Sequence, residues 1–269
     1  MNVPPRFFPC AAGLLVLAIS PAAAQDTTST WDVTLARGDT REIDFTTEEG
    51  TWMSVDISPD GRWIVFDLLA HIYRVPAGGG TAEVLTQESG VALNYHPQFS
   101  PDGRSIAFIS DRGGQNNLWV MDADGSNPRQ IFNNLNARAT APKWMPDGDY
   151  IIVRRQSVGG GNGRGDGGLF MYHRAGGEGV KLGDDEMNSA TWPSVSSDGQ
   201  FVYFQERTPG QMVSWAVEGG LIEDALVRDV LQGSFNISRY AIETGEVTPV
   251  THGEPSRQYR LSSGGAYAG

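Results

Sequence analysis

Cysteine is almost absent: Cys10 is the only one in 269 residues. A disulfide framework and a thiolate-bound metal are thereby excluded. Histidine is nearly as scarce. His71, His96, His173 and His252 are scattered, with neither His-x-His nor His-Glu-x-x-His, so the local spacing usual for zinc ligands is missing. Also missing are a Gly-x-Ser-x-Gly elbow and a phosphate-loop lysine motif. Positive charge is in short supply, with 20 Lys and Arg against 32 Asp and Glu and a formal charge of −12. Such a surface repels phosphate backbones and anionic lipid, which argues against nucleic acid and bare membrane as partners.

Long apolar runs are also lacking, apart from Cys10 to Ile19 near the N-terminus. That run falls short of the roughly 20 residues needed to span a bilayer. With Arg6 before it and Ala22-Ala23-Ala24 after it, residues 1–24 read as a secretory signal peptide. Its removal would take Cys10 with it. A periplasmic or secreted location is expected, with no membrane attachment beyond the leader.

Glycine is plentiful, at 34 residues alongside 15 prolines, and apolar residues come in short runs. This pattern points to an all-β fold. A repeat then becomes visible. Ser58-Pro59-Asp60-Gly61-Arg62 and Ser100-Pro101-Asp102-Gly103-Arg104 are followed by Met145-Pro146-Asp147-Gly148 and Ser196-Ser197-Asp198-Gly199. The Asp-Gly pairs at 60, 102, 147 and 198 are 42, 45 and 51 residues apart. Proline presets the second position of a type I turn, aspartate suits the third, and glycine accepts the positive φ that follows. Each turn leads into an apolar strand, a second strand and a short outer strand, expected at Ala82–Thr86, Arg129–Phe132, Val180–Leu182 and Val247–Thr251. Four strands per unit of this length mark a β-propeller blade. The sequence predicts about four blades plus the start of another at Gly264-Gly265-Ala266-Tyr267, hence an incomplete propeller. The expected organisation is a leader over 1–24, a lead-in strand segment over 25–49 and propeller repeats over 50–269.

Two insertions interrupt the pattern: glycine-rich Ser157–Gly168, expected to be a loop, and Pro209–Ser234. In the second, Ile222, Leu226 and Val230 fall at helical spacing within Leu221–Leu231.

Several short motifs mimic binding sites. Gly163 to Gly168 fits G-x-G-x-x-G, but it sits between strands in a glycine run rather than opening a helix. The Arg164-Gly165-Asp166 tripeptide lies in the same run. Asp122-Ala123-Asp124-Gly125-Ser126-Asn127 resembles a calcium loop, yet its twelfth position is Asn133 where a bidentate glutamate is required. Asp60, Asp102, Asp147 and Asp198 recur as turn residues, which favours a structural role. His71 and His173 fall on strands. No catalytic, cofactor-binding or metal-binding residue is assigned in this chain.

Ser-Pro-Asp-Gly-Arg (58–62, 100–104) and Asp-Ala-Asp-Gly-Ser-Asn-Pro (122–128) resemble the TolB-like, or WD-like, propeller repeats of exported bacterial proteins. A narrower resemblance is to proteins joining such a propeller to a C-terminal metal-dependent amidohydrolase domain. It rests on Trp31–Leu35, Thr40–Met53, Ile64–Tyr73 and Ser110–Gln115. It implies a hydrolase acting on C–N bonds, with zinc or another divalent metal held in that later domain and none here. This chain would be the accessory or substrate-gating propeller, its partner the catalytic domain of the same parent chain. The alternatives are a TolB-like interaction module for envelope proteins and the gating propeller of a prolyl-oligopeptidase-like serine peptidase.

Overall fold

The computed structural model describes residues 32–41, 45–158, 167–207 and 235–251, together with the backbone of 260–261 and 267–268. Two compact units are distinguished, Met1–Trp31 and Asp32–Gly269, and all described residues belong to the second. The leader expected over 1–24, most of the glycine-rich insertion and the segment around Leu221–Leu231 lie outside the described residues.

Four four-stranded antiparallel sheets follow one another along the chain, each with its strands in sequence order. The first holds β1 (Val55–Ile57), β2 (Trp63–Leu68), β3 (His71–Pro76) and β4 (Glu83–Val84). The second holds β5 (Asn94–Phe99), β6 (Ser105–Ser110), β7 (Asn117–Asp122) and β8 (Arg129–Gln130). The third holds β9 (Ala137–Trp144), β10 (Tyr150–Ser157), β11 (Gly168–His173) and β12 (Val180–Lys181). The fourth holds β13 (Thr191–Val195), β14 (Phe201–Arg207), β15 (Phe235–Ala241) and β16 (Val247–Pro249). A two-stranded pair, β17 (Arg260–Leu261) with β18 (Tyr267–Ala268), comes last. No α-helix occurs among the described residues.

The repeated turns form as their residues require. In each, the glycine amide donates to the carbonyl three residues back, from Gly61 to Ser58 and from Gly103 to Ser100, both at 2.8 Å. The turn glycines take φ of 69–76°, a region that disfavours any side chain. The serine adds a lock. Ser100 Oγ donates to Asp102 Oδ1 at 2.6 Å and accepts the Ser105 amide at 2.9 Å. The same pair of bonds recurs at Ser58 and Ser196.

Apolar runs without strict alternation are explained by burial on both faces. In β6, Ile106 and Phe108 pack with Val65 and Ile72 of the first blade, while Ala107 and Ile109 pack with Ile151 and Val153 of the third. In β10, Ile152 turns the other way, toward Val202 and Phe204 of the fourth. Burying each such valine, isoleucine or phenylalanine side chain contributes about 1.5–3 kcal/mol.

The outer strands are shorter than expected. β4, β8 and β12 each make only two ladder pairs, and short edges limit unwanted pairing with other chains. In the lead-in segment, residues 32–41 and 45–49 contain turns and bends but no strand among those described. Asp32 Oδ1 accepts both the amide and the hydroxyl of Thr34, at 2.9 and 2.7 Å, closing a local turn instead.

Candidate functional site: the axial channel

β1 lies beside β5, β5 beside β9, and β9 beside β13, so the first strand of each blade lines the axis. The last three of these strands share a defect. Register breaks between Tyr95 and Gln98 in β5, opposite the Ile152–Arg154 step of β10 in β9, and between Thr191 and Ser194 in β13. At each break a residue with positive φ precedes a proline: His96 (55°), Ala141 (51°) and Trp192 (50°), before Pro97, Pro142 and Pro193. Proline supplies no amide to the ladder and pushes the preceding residue out of the right-handed helical region. The outcome is a bulge that re-aims a side chain.

These bulges border a cavity of about 380 Å³ that also touches Val55, Gln98, Lys143 and Gln205. Residues from all four blades meet there, which places it on the axis. The His96 and Trp192 rings come from blades two and four and meet edge to face, with centroids 5.7 Å apart. Trp192 is about half exposed, at 54%.

Polar contacts hold the cavity wall. Asp67 of β2 is buried, and its two oxygens accept the amides of Ser54 at 2.8 Å and His96 at 2.7 Å. His96 Nδ1 accepts the Ala141 amide at 3.1 Å, which leaves Nε2 to carry the proton of a neutral ring. Burial pushes the imidazole below its ordinary pKa, and Lys143 adds to this while Asp67 opposes it.

Along the same innermost strands, Asp56, Gln98, Lys143 and Ser194 occupy one register, each four residues before its turn aspartate. Lys143 Nζ donates to Gln98 Oε1 at 2.6 Å. Asp56 Oδ2 accepts the Phe99 amide at 2.8 Å. Burial is the main influence on both charged groups. It raises the Asp56 carboxyl and lowers the Lys143 ammonium, and the attraction between the two works against each shift. The channel therefore offers an imidazole, an indole, an ammonium and amides in a confined space of mixed polar and apolar lining.

The other residues singled out in the sequence are not brought together. His71 Nδ1 sits 3.2 Å from Thr86 Oγ1, whereas His173 is exposed at the end of β11 against the Tyr150 ring. His252 lies outside the described residues, as does 159–166 of the glycine run. The Asp122–Asn127 segment is a self-contained turn: Asp122 Oδ2 accepts from Asn127 Nδ2 at 2.7 Å, and Asp124 Oδ1 from the Ser126 amide at 2.9 Å. Among the described residues no three His, Cys, Asp or Glu side chains gather as a metal site. None of their helices is long and apolar enough to cross a membrane. Sequence reasoning missed His96, Lys143 and Trp192. The available signal was the dipeptides His96-Pro97, Ala141-Pro142 and Trp192-Pro193, at one fixed offset before the turn aspartate.

Comparison with known proteins agrees with this architecture. An uncharacterised protein of Agrobacterium fabrum is 33% identical over 128 residues, 42% of this chain and 43% of the relative. The Tol-Pal system protein TolB of Wolinella succinogenes is 32% identical over 124 residues, 44% of this chain and 28% of that protein. The chain thus spans less than half the length of these relatives in the matched regions. Among solved structures, a putative TolB from Agrobacterium tumefaciens matches with a TM-score of 0.54 at 20% identity, covering 74% of this chain and 61% of that one. A puromycin hydrolase matches with a TM-score of 0.50 at 16% identity, covering 78% and 31%. At these identities the structural matches show the fold alone. The profile of the PD40 family, the TolB β-propeller domain, matches residues 32–238, and the chain belongs to that family.

Proposed function

We propose that this propeller is a recognition module of an exported protein, and that it receives a polypeptide segment at its axial channel. The observation that carries this reading is the set of proline-linked bulges, which place His96 and Trp192 at a cavity bordered by Lys143 and Gln205. An exposed indole beside charged and amide groups suits a peptide, whose backbone needs hydrogen bonds and whose apolar side chains need a flat surface. The similarity to a Tol-Pal system protein supports an interaction role in the cell envelope, and the signal-peptide pattern of residues 1–24 supports a periplasmic or secreted site.

The test is site-specific photocrosslinking in the native host, with benzoylphenylalanine in place of Trp192 or of Val180 on the outer strand β12. Polypeptide adducts at 192 well above those at 180 support the reading; equal yields at the two positions sink it.

The finer proposal concerns the parent chain. The segments Trp31–Leu35, Thr40–Met53, Ile64–Tyr73 and Ser110–Gln115 support a metal-dependent amidohydrolase whose catalytic domain binds zinc or another divalent ion. The propeller would then gate or deliver substrate to that domain. The puromycin hydrolase match supports a gating propeller of a serine peptidase as the second reading. Sequencing the DNA beyond codon 269 decides between them. A His-x-His motif within a strand–helix barrel supports the amidohydrolase, and a Gly-x-Ser-x-Gly elbow supports the peptidase.

A further inference from the structure

The third blade carries an unbalanced pair of cations. β9 and β10 pair Thr140 with Arg154 and Arg138 with Gln156. Residues two apart along a strand share a face, so Arg138 and Arg154 are diagonal neighbours on one side of the sheet, a separation long side chains bridge. Arg138 is exposed and Arg154 half-buried. Arg154 Nε is shielded from solvent and has no acceptor. Burial pushes Arg154 below its ordinary pKa, and the neighbouring Arg138 charge pushes the same way.

Several arginines of the first two blades have polar partners. Arg62 pairs with Asp60, Arg74 with Glu83, and Arg112 donates to Asn94 Oδ1 and Ser110 Oγ. Neither Arg138 nor Arg154 takes part in an ion pair among the described residues. Two guanidinium groups near enough to repel, one carrying an unsatisfied donor, are a costly arrangement that an oxyanion relieves. Arginine forks match carboxylate and phosphate alike. A chain of net charge −12 repels a phosphate dianion more strongly than a single carboxylate, which favours the latter.

We propose that Arg138 and Arg154 form a carboxylate-binding site on the face of blade three, at the end of the sheet away from the Met145-Pro146-Asp147-Gly148 turn. The site is separate from the axial cavity, and it stands or falls independently of peptide recognition there.

The test follows the side-chain Nε–H resonances of the full chain by ¹⁵N NMR during titration with acetate at constant ionic strength. The expected result is a saturable shift of the Arg154 resonance. Arg138→Gln should weaken the affinity at least tenfold, and Arg62→Gln should leave it unchanged. Arg154→Lys keeps the charge but loses the fork, and it should also weaken binding at least tenfold. Because Arg138 is exposed, Arg138→Gln keeps the test valid if substitution at 154 impairs folding. A response that never saturates, or one unaffected by Arg138→Gln, overturns the site. Tighter binding of inorganic phosphate than of acetate overturns the assignment to a carboxylate.

Discussion

Nδ1 of His96 in the second blade accepts the backbone amide of Ala141 in the third at 3.1 Å. One bulge is therefore hydrogen-bonded to the next, and the bond exists only while Nδ1 is unprotonated. The imidazole pKa lies below its ordinary 6.5, chiefly through burial. A group whose folded pKa is depressed contributes stability above its unfolded pKa and loses it as pH falls through the folded value. Acidification below about 6.5 should accordingly loosen the channel wall. The imidazole resonances should titrate below 6.5, with the Trp192 emission changing in parallel. An imidazole midpoint at or above 6.5 would contradict this account.

Asp67 tests the same wall from the other side. Asp67→Asn keeps the shape but turns one of two acceptors into a donor, facing either the Ser54 or the His96 amide. Losing a hydrogen bond to a charged group costs about 1.5–3 kcal/mol. Urea unfolding should show a loss of that size at neutral pH, with the denaturant slope preserved.

Lys143 compensates Asp56 across the channel. Lys143→Met removes the positive charge that holds the Asp56 carboxyl down, leaving burial less opposed. The carboxyl pKa, followed by ¹³C NMR, should rise further than in the unaltered chain. A raised carboxyl favours the fold at low pH and loses that contribution as pH climbs through its folded pKa. The variant's stability should therefore decline more steeply than the parent's as pH rises through that value.

Ser100 is fully buried and serves two partners in its hairpin. Ser100→Ala strands the amide of Ser105, itself 5% exposed, at a cost of about 1–3 kcal/mol. It should also raise the Asp102 carboxyl, whose depression comes first from the Ser100 hydroxyl. Thermal unfolding and carboxyl titration would read the two effects separately. The third blade has Met145 at this position, so Met145→Ser offers the converse test.

Much of the fold was legible along the chain because its determinants are local. Pro101, Asp102 and Gly103 each satisfy one position of a turn, and the turn sets the hairpin. The run Ser105-Ile106-Ala107-Phe108-Ile109 reads as a strand buried on both faces because consecutive residues point to opposite sides. The outer strands were overestimated because Ala82–Thr86 and Val247–Thr251 have the right residue types, but their length is set by how much ladder the neighbouring strand offers.

The channel was not legible in that way. Asp67 and His96 are separated by 29 residues, Gln98 and Lys143 by 45. Each looks like an ordinary polar strand residue until the blades stand side by side. Turn chemistry and the apolar pattern, both short-range, were enough for the sequence to determine the repeat, the hairpins and the blade. Only the tertiary structure decided which side chains meet at the axis and which carboxylate loses its water. It also decided that two arginines share one face, because those outcomes depend on the packing of separate sheets and on a one-residue bulge that changes where a side chain points.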